Sequence, residues 1–128
     1  MPRFRIDPFP TDPELDELWR RAWDVSLERS YQDVLARSLG HVGAYADERL
    51  IGFVNIAWDG GLHAFILDTC TDRDFRGRGI ATELVRQSAQ LARDRGAQWL
   101  HVDYEPHLDS FYRGCGFLHS TAGVMKLS

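Results

Sequence analysis

Residues 73 to 81 have the types and the spacing that suit the binding of phosphate groups. They read Arg-Asp-Phe-Arg-Gly-Arg-Gly-Ile-Ala, with glycines at positions 77 and 79 where a helical pattern begins. Such glycines let the backbone turn sharply and present successive N–H groups at a helix N-terminus, where the dipole adds about half a positive charge. The segment lacks the Gly-Lys-Ser/Thr of a Walker loop, and Thr82 fills the third glycine position of the dinucleotide-binding motif. Two interpretations stand, a phosphate-binding loop and a glycine turn flanked by solvated arginines.

The periodicity of apolar residues predicts the elements that hold this loop. Helical spacing after Asp12, the predicted cap, indicates a first helix, and a second short helix covers about residues 31 to 38. Helical spacing returns from 79 to 95, where Gly96 ends the longest helix, and a short fourth helix lies around 107 to 113. Short runs bounded by turns predict strands at 3–6, 41–46, 51–58, 62–71, 98–104, 117–120 and 122–127.

This order of elements predicts an α/β fold. Its central sheet is mixed but mostly antiparallel, with six to seven strands and about four helices. The helix from 79 to 95 is a crossover that joins two neighbouring parallel strands, 62–71 and 98–104. The glycine loop therefore stands between the first of these parallel strands and the crossover helix.

Length and composition limit the function classes. With 128 residues, 44% of them apolar, the chain is predicted to form a single domain from 1 to 128. Nineteen acidic and 15 scattered basic residues give a net charge of -4, so neither nucleic acid nor a membrane surface is an expected partner. No apolar signal region follows Met1, and a cytoplasmic location is expected. Cys70 and Cys115 form no CxxC pair, which disfavours a disulfide framework or a zinc site.

Two motifs, in order, resemble those of the GNAT N-acetyltransferase superfamily. Arg76-x-x-Gly79-x-Ala81, after a strand and at the start of a long helix, is similar to the acetyl-CoA signature Arg/Gln-x-x-Gly-x-Gly/Ala. The run 111–117, Phe-Tyr-Arg-Gly-Cys-Gly-Phe, resembles the family's Leu-Tyr-x-x-x-Gly-Phe. The resemblance extends from about residue 3 onward, although 24–30 and the short second helix match nothing in particular. Glu105 departs from the Asn that many members carry after the fifth strand.

The resemblance implies a GNAT fold in which the fourth and fifth strands splay apart and form an acyl-CoA cleft. Backbone N–H groups between Arg76 and Thr82 would bind the pyrophosphate of acetyl-CoA, the co-substrate. The pantetheine arm would pair with the strand at 69–71, and the thioester would lie between the two splayed strands. The cofactor-binding residues implied in this way are Thr69, Cys70, Thr71, Arg76, Gly77, Arg78, Gly79, Ile80, Ala81 and Thr82.

Acetyl transfer from a thioester to an amine requires a group that protonates the departing thiolate. Tyr112 stands at the family's position for this role, and a phenol with a pKa of about 10 keeps its proton at neutral pH. The alternative is a packed helix residue whose hydroxyl bonds elsewhere. Cys115 has no adjacent base in the sequence, so we expect a buried structural thiol there and not a nucleophile.

Several side chains are candidates for the base that takes a proton from the attacking amine, and the sequence leaves the choice open. The candidates are His63, Asp68, His101, Asp103 and Glu105. Strand alternation puts His63 on one face with Phe65 and Leu67 and puts Asp68 on the other, unless a bulge intervenes. His63 lies thirteen residues before Arg76, a spacing that resembles the position of the catalytic glutamate in histone-type members, and imidazole is near-neutral at pH 7. A structural role is the alternative for His63, and a hydrogen bond to a turn is the alternative for Asp68.

These features predict an acetyl-CoA-dependent N-acetyltransferase that acetylates a primary amine of a small molecule by direct attack in a ternary complex. We expect the splayed strands to expose His63 near the thioester, and Asp103 or Glu105 to help hold the cationic amine. No metal is expected, and the resemblance allows a homodimer. The alternative function is a catalytically silent acyl-CoA sensor or regulatory module of the same fold.

Overall fold

The computed structural model describes residues 2–128, and five strands and four α-helices make up its fold. The strands are β1 (Arg3–Ile6), β2 (Gly40–Ala46), β3 (Arg49–Trp58), β4 (His63–Thr71) and β5 (Trp99–His101). The helices are α1 (Asp12–Trp23), α2 (Gln32–Arg37), α3 (Ile80–Asp94) and α4 (Asp109–Gly114), with 3-10 turns at Arg73–Phe75 and Pro106–Leu108. None of the helices in residues 2–128 has the length and apolar character needed to cross a bilayer.

One sheet runs in the order β1-β2-β3-β4-β5. The first four strands pair antiparallel, and β5 pairs parallel to β4 after the α3 crossover. The predicted α/β class, the four helices and the parallel pair are therefore confirmed. Thr11, and not Asp12, caps α1, because its hydroxyl accepts the Glu14 N–H while the Glu14 carboxylate accepts the Thr11 N–H.

The predicted count of six to seven strands is wrong for the described residues. The segments 117–120 and 122–127 form no strand, and apolar side chains such as Leu118 and Leu127 are 92% and 91% exposed. The fifth strand covers three residues and not the seven from 98 to 104. A short apolar run bounded by turns reports a local tendency, but a strand also needs a neighbour and a buried face, which residues 117 to 127 do not find among residues 2–128.

The sheet carries a separate apolar core on each face. Phe53 and Val54, which are successive residues of β3, belong to different cores because side chains alternate along a strand. The α3 face packs residues such as Leu84 and Val85 against the strands, and α4 adds Tyr112. On the opposite face the packed residues of α1 and α2 are Leu15, Leu18, Ala22 and Leu35.

A β-bulge interrupts β4 at Asp68 and Thr69. Phe53 pairs with Cys70 and Asn55 pairs with Leu67, so two residues of β4 lie opposite Val54 alone. Asp68 has a left-handed backbone with φ of 58°. The predicted alternation holds up to Leu67 and then reverses, because Ile66 packs in the α3 core whereas Cys70 packs in the α1 core.

Asp72 fixes the end of β4 to its surroundings. Its buried carboxylate accepts hydrogen bonds from Arg21 at 2.6 Å, from Arg49 at 3.3 Å and from the Asp74 N–H at 2.9 Å. The Asp72 N–H donates to the Ile51 carbonyl at 2.8 Å. Burial opposes ionisation of Asp72, but the hydrogen bonds outweigh it and lower its pKa. This network ties α1 and β3 to the start of the glycine loop.

We expect Asp72→Asn to lower the free energy of unfolding by about 3 kcal/mol, because it removes the charge that compensates two arginines. Asp74→Asn is the matched control, since Asp74 is an exposed partner of the same Arg21 and should cost less than about 1 kcal/mol. Urea unfolding at pH 7 measures both changes. Equal costs would contradict a special role for the buried carboxylate.

The loss of unfolding free energy in Asp72→Asn should depend on pH. Because the pKa of Asp72 is lowered by folding, its contribution is present above the unfolded-state pKa of about 3.9 and is lost as the pH falls through the folded value. The difference in unfolding free energy between wild type and Asp72→Asn should therefore narrow below about pH 4. A difference that stays constant from pH 7 to pH 3 would exclude this explanation.

Candidate active site

The glycine loop leaves the N-terminus of α3 open to solvent. Gly77 and Gly79 have φ angles of 75° and 80°, which side chains rarely adopt, and both are exposed. A Cβ at either position would meet nothing within 4 Å, so the backbone conformation and not crowding requires glycine. Gly79 caps the 15-residue α3 without a side-chain hydrogen bond. The N–H groups of its first turn can therefore bind an anion.

Arginines fasten this loop to α1. The Arg76 guanidinium donates to the carbonyl of Ala22 in the last turn of α1, and Arg73 donates to the Arg20 carbonyl at 3.4 Å. These cations also face the negative end of the α1 dipole. Arg78 lies over the Phe75 ring at 5.0 Å. Arg76 thus acts first as a loop anchor, and the backbone amides are left as the loop's main donors toward a ligand.

β4 and β5 separate beyond their third paired residue. They pair from His63 with Trp99 to Phe65 with His101, and no further pairs follow in the described chain. From residue 67 to 71, β4 is paired with β3 on one side only. Such an open edge can pair with an extended ligand. The Thr71 hydroxyl near its end is buried without a hydrogen-bond partner among residues 2–128.

Tyr112 on α4 contacts this open part of β4. Its buried ring stacks on Tyr104 with centroids 4.7 Å apart and makes an edge contact with Phe117. Burial raises the pKa of Tyr112, and the nearby Thr69 side chain partly opposes the rise. The phenol therefore keeps its proton at neutral pH and holds it beside the cleft.

Asp68, the neighbour of Thr69, has its partner on the other face of the sheet. Its carboxylate accepts a hydrogen bond of 2.7 Å from the Tyr31 hydroxyl at the start of α2. The partner is thus a tyrosine and not a turn. Tyr31 was absent from the sequence-based candidates, and the one signal for it was that Asp68, in an apolar strand, needs a polar partner.

His63 and His101 form a pair on the exposed face of the sheet. Nδ1 of His63 lies 2.8 Å from Nε2 of His101, and the His101 ring stacks on Phe65 at 4.5 Å. Contrary to expectation, the two strands are still paired at His63 and do not splay there. Thr69 is six positions after His63 in β4, which corresponds to roughly 20 Å of extended chain.

Asp103 and Glu105 are the two remaining candidates for the base. Both follow the end of β5 as exposed carboxylates, and Oε2 of Glu105 lies 3.9 Å from Nδ1 of His107.

The two cysteines are poor nucleophiles, because burial raises the pKa of the Cys70 and Cys115 thiols. Residues 2–128 contain no group of three or more side chains that could hold a metal ion.

Comparison of the sequence with known proteins gives a family match and several relatives. The model described as the acetyltransferase (GNAT) family matches residues 6–117. An uncharacterized N-acetyltransferase ycf52 of Pyropia yezoensis is 32% identical over 79 residues, which is 62% of this chain and 45% of that protein. A probable glucosamine 6-phosphate N-acetyltransferase 2 of Oryza sativa subsp. japonica is 32% identical over 59 residues, 46% of this chain and 36% of that protein. The matches thus span less than half the length of these relatives.

Comparison of the structure with solved structures gives a match over the whole chain. A protein of Staphylococcus aureus described as a probable acetyltransferase, SA2161, superimposes with a TM-score of 0.84. The match covers 100% of this chain and 99% of that one at 20% identity. At this identity the likeness establishes the fold. The five strands and four helices therefore have the same fold as that protein.

Proposed function

The chain belongs to the acetyltransferase (GNAT) family, and we propose that it transfers the acetyl group of acetyl-CoA to a primary amine of a small molecule. One observation carries this proposal. The open edge of β4 leads directly from Thr69, beside Tyr112, to the uncapped glycine loop at the start of α3. A thioester site and a phosphate site thus lie along one continuous stretch of chain. A cytoplasmic location and a homodimer stay predictions from the sequence.

The residues of the loop and of the β4 edge fit the two ends of acetyl-CoA. The amides from Arg76 to Thr82 would hold the pyrophosphate, and Thr69, Cys70 and Thr71 would pair with the pantetheine arm through their backbone. When bound, acetyl-CoA supplies an activated acetyl group with a thiolate leaving group.

Tyr112 is proposed as the general acid. Its phenol is protonated at neutral pH, because burial raises its pKa, and it lies beside Thr69 on the α4 side of the cleft. From there the hydroxyl would donate its proton to the departing thiolate. The packing of Tyr112 against Tyr104 and Phe117 holds the donor in place.

Asp68 is proposed as the base or as the group that binds the acceptor's ammonium. A primary alkylamine with a pKa near 10.4 must lose a proton before it attacks, at a cost of about 4 to 5 kcal/mol at pH 7. Among the candidates, Asp68 is the residue next to Thr69, which lies near Tyr112, whereas His63 is five positions before Asp68 in the paired part of β4. His63 could accept the proton of the amine only through intervening water molecules. The exposed Asp103 and Glu105 would attract a cationic acceptor.

Small-molecule acceptors are the class to test first. A relative in rice carries the name glucosamine 6-phosphate N-acetyltransferase, which supports a small amine as acceptor. The decisive experiment mixes the protein with acetyl-CoA and a panel of amines, follows release of the CoA thiol, and identifies acetylated product by mass spectrometry. Stabilisation by acetyl-CoA without turnover of any amine would favour the silent acyl-CoA sensor instead.

Acetyl-CoA should raise the melting temperature of the protein, since a ligand bound only by the folded state stabilises by about 2.7 kcal/mol at a hundredfold excess over Kd. Gly79→Glu should abolish this shift, because it puts a carboxylate where the pyrophosphate would bind. Gly96→Glu is the matched control at the other end of α3, also with a left-handed backbone, and it should keep the shift. A normal shift in folded Gly79→Glu would remove the loop from the cofactor site.

Tyr112→Phe should lower kcat by roughly 10- to 1000-fold with little change in acetyl-CoA affinity, because it removes the proton donor and keeps the ring. The control is Tyr104→Phe, which alters the stacked neighbour whose hydroxyl binds Asp109 at 2.7 Å. It should leave kcat within a few-fold. Steady-state kinetics of the two variants decide, and equal effects would exclude Tyr112 as the acid.

Asp68→Asn should lower kcat/KM for a primary alkylamine by about 100-fold or more, as expected for loss of a general base. His63→Gln should change it by less than about fivefold, because His63 lies in the paired part of β4. Both variants should keep the acetyl-CoA melting shift. A near-normal rate for Asp68→Asn together with a large loss for His63→Gln would transfer the role to His63.

A further inference from the structure

We propose that Tyr31 is a positioning residue of the acetyl-transfer site, because its hydroxyl holds the Asp68 carboxylate toward the incoming amine. This inference rests on the proposed function. It adds Tyr31, the N-cap residue of α2, to a site that the motifs confine to β4, the glycine loop and α4.

The surroundings of Tyr31 fix its ring. The side chain is 6% exposed and makes edge-to-face contacts with Trp19, centroids 5.3 Å apart, and with Phe53, centroids 5.9 Å apart. Its backbone N–H donates to the Asp12 carboxylate at 3.0 Å. The ring thus belongs to the core between α1 and the sheet, and this packing fixes the position of its hydroxyl.

The hydrogen bond from Tyr31 to Asp68 has a defined direction. Burial, and then the negative charge of Asp68, raise the pKa of Tyr31, so the phenol keeps its proton and donates. Oδ2 of Asp68 accepts at 2.7 Å, and Oδ1 has no hydrogen-bond partner within residues 2–128. One carboxylate oxygen is therefore held, and the other is free to accept from an amine.

The bulge determines the direction of the Asp68 side chain. Asp68 has a left-handed backbone within the bulge, a conformation that aspartate adopts more readily than most residues. The bulge turns Asp68 to Tyr31 on the α2 face, while Thr69 interacts with Tyr112 on the α4 face. The acceptor's proton and the leaving group's proton are then handled on opposite sides of β4. Tyr31 should accordingly affect the amine step and leave acetyl-CoA binding unchanged.

The test compares Tyr31→Phe with Tyr45→Phe, a buried tyrosine of the same core on β2. Each protein is assayed with two acceptors, a primary alkylamine and a weakly basic aromatic amine that is already neutral at pH 7. Tyr31→Phe should lower kcat/KM for the alkylamine by about 10- to 100-fold and for the aromatic amine by only a few-fold, since the latter needs no base to free its lone pair. Tyr45→Phe should resemble wild type with both acceptors. The acetyl-CoA melting shift should be normal in each variant.

A double variant completes the experiment. If Tyr31 acts through Asp68, adding Tyr31→Phe to Asp68→Asn should lower the rate no further than Asp68→Asn alone. Equal losses with both acceptors, additive effects in the double variant, or an unchanged rate for Tyr31→Phe would each overturn the inference. Failure of the wild type to acetylate any amine would overturn the proposed function itself, and it would be seen before any variant is made.

Discussion

The bulge at Asp68 and Thr69 is the constraint on which the rest of the site depends. In a regular β4, Asp68 would follow Ile66 into the α3 core, where an unpaired carboxylate is costly. The extra residue reverses the alternation, so Asp68 meets Tyr31 and Cys70 packs beneath α1. It also lets Thr69 interact with Tyr112 across the other face. Because of this one additional residue, Asp68 and Cys70 lie on the α1 side of the sheet and Thr69 lies on the α4 side.

The strand that carries the bulge also directs the glycine loop. After Thr71 the chain is held by Asp72, whose carboxylate binds arginines of α1 and β3, and by Arg76, which binds the end of α1. The left-handed glycines then place the open N-terminus of α3 at the end of the same strand. A loop fixed at both ends needs little ordering when it binds a ligand, which lowers the entropic cost of binding.

Local signals in the sequence were sufficient for the four helices, for the first four strands and for the glycine turn before α3. Helical spacing and Gly79 located α3, and the position of Tyr112 in its motif located the proton donor candidate. The partner of Asp68 could not be predicted, because Tyr31 lies 37 residues away in the sequence. No local sequence pattern indicates the bulge that turns Asp68 toward Tyr31. The same limit explains the error at His63, where the point of strand separation depends on pairing between distant segments. It also explains the predicted strands at 117–120 and 122–127, which pair with no strand among the described residues.

The placement of Asp68 and Tyr112, the proposed base and the proposed acid, bears on the proposed route of acetyl transfer. Burial raises the pKa of both thiols, so neither Cys70 nor Cys115 is suited to a covalent acetyl intermediate. Under the proposed function the amine must then attack the thioester directly, which requires both substrates to be bound at once. Under the same proposal an alkylamine needs a base and the departing thiolate needs an acid in one complex. Because each face of the sheet has its own core, Asp68 is held from the α2 side and Tyr112 packs on the α4 side, so the proposed base and the proposed acid would lie on opposite sides of β4.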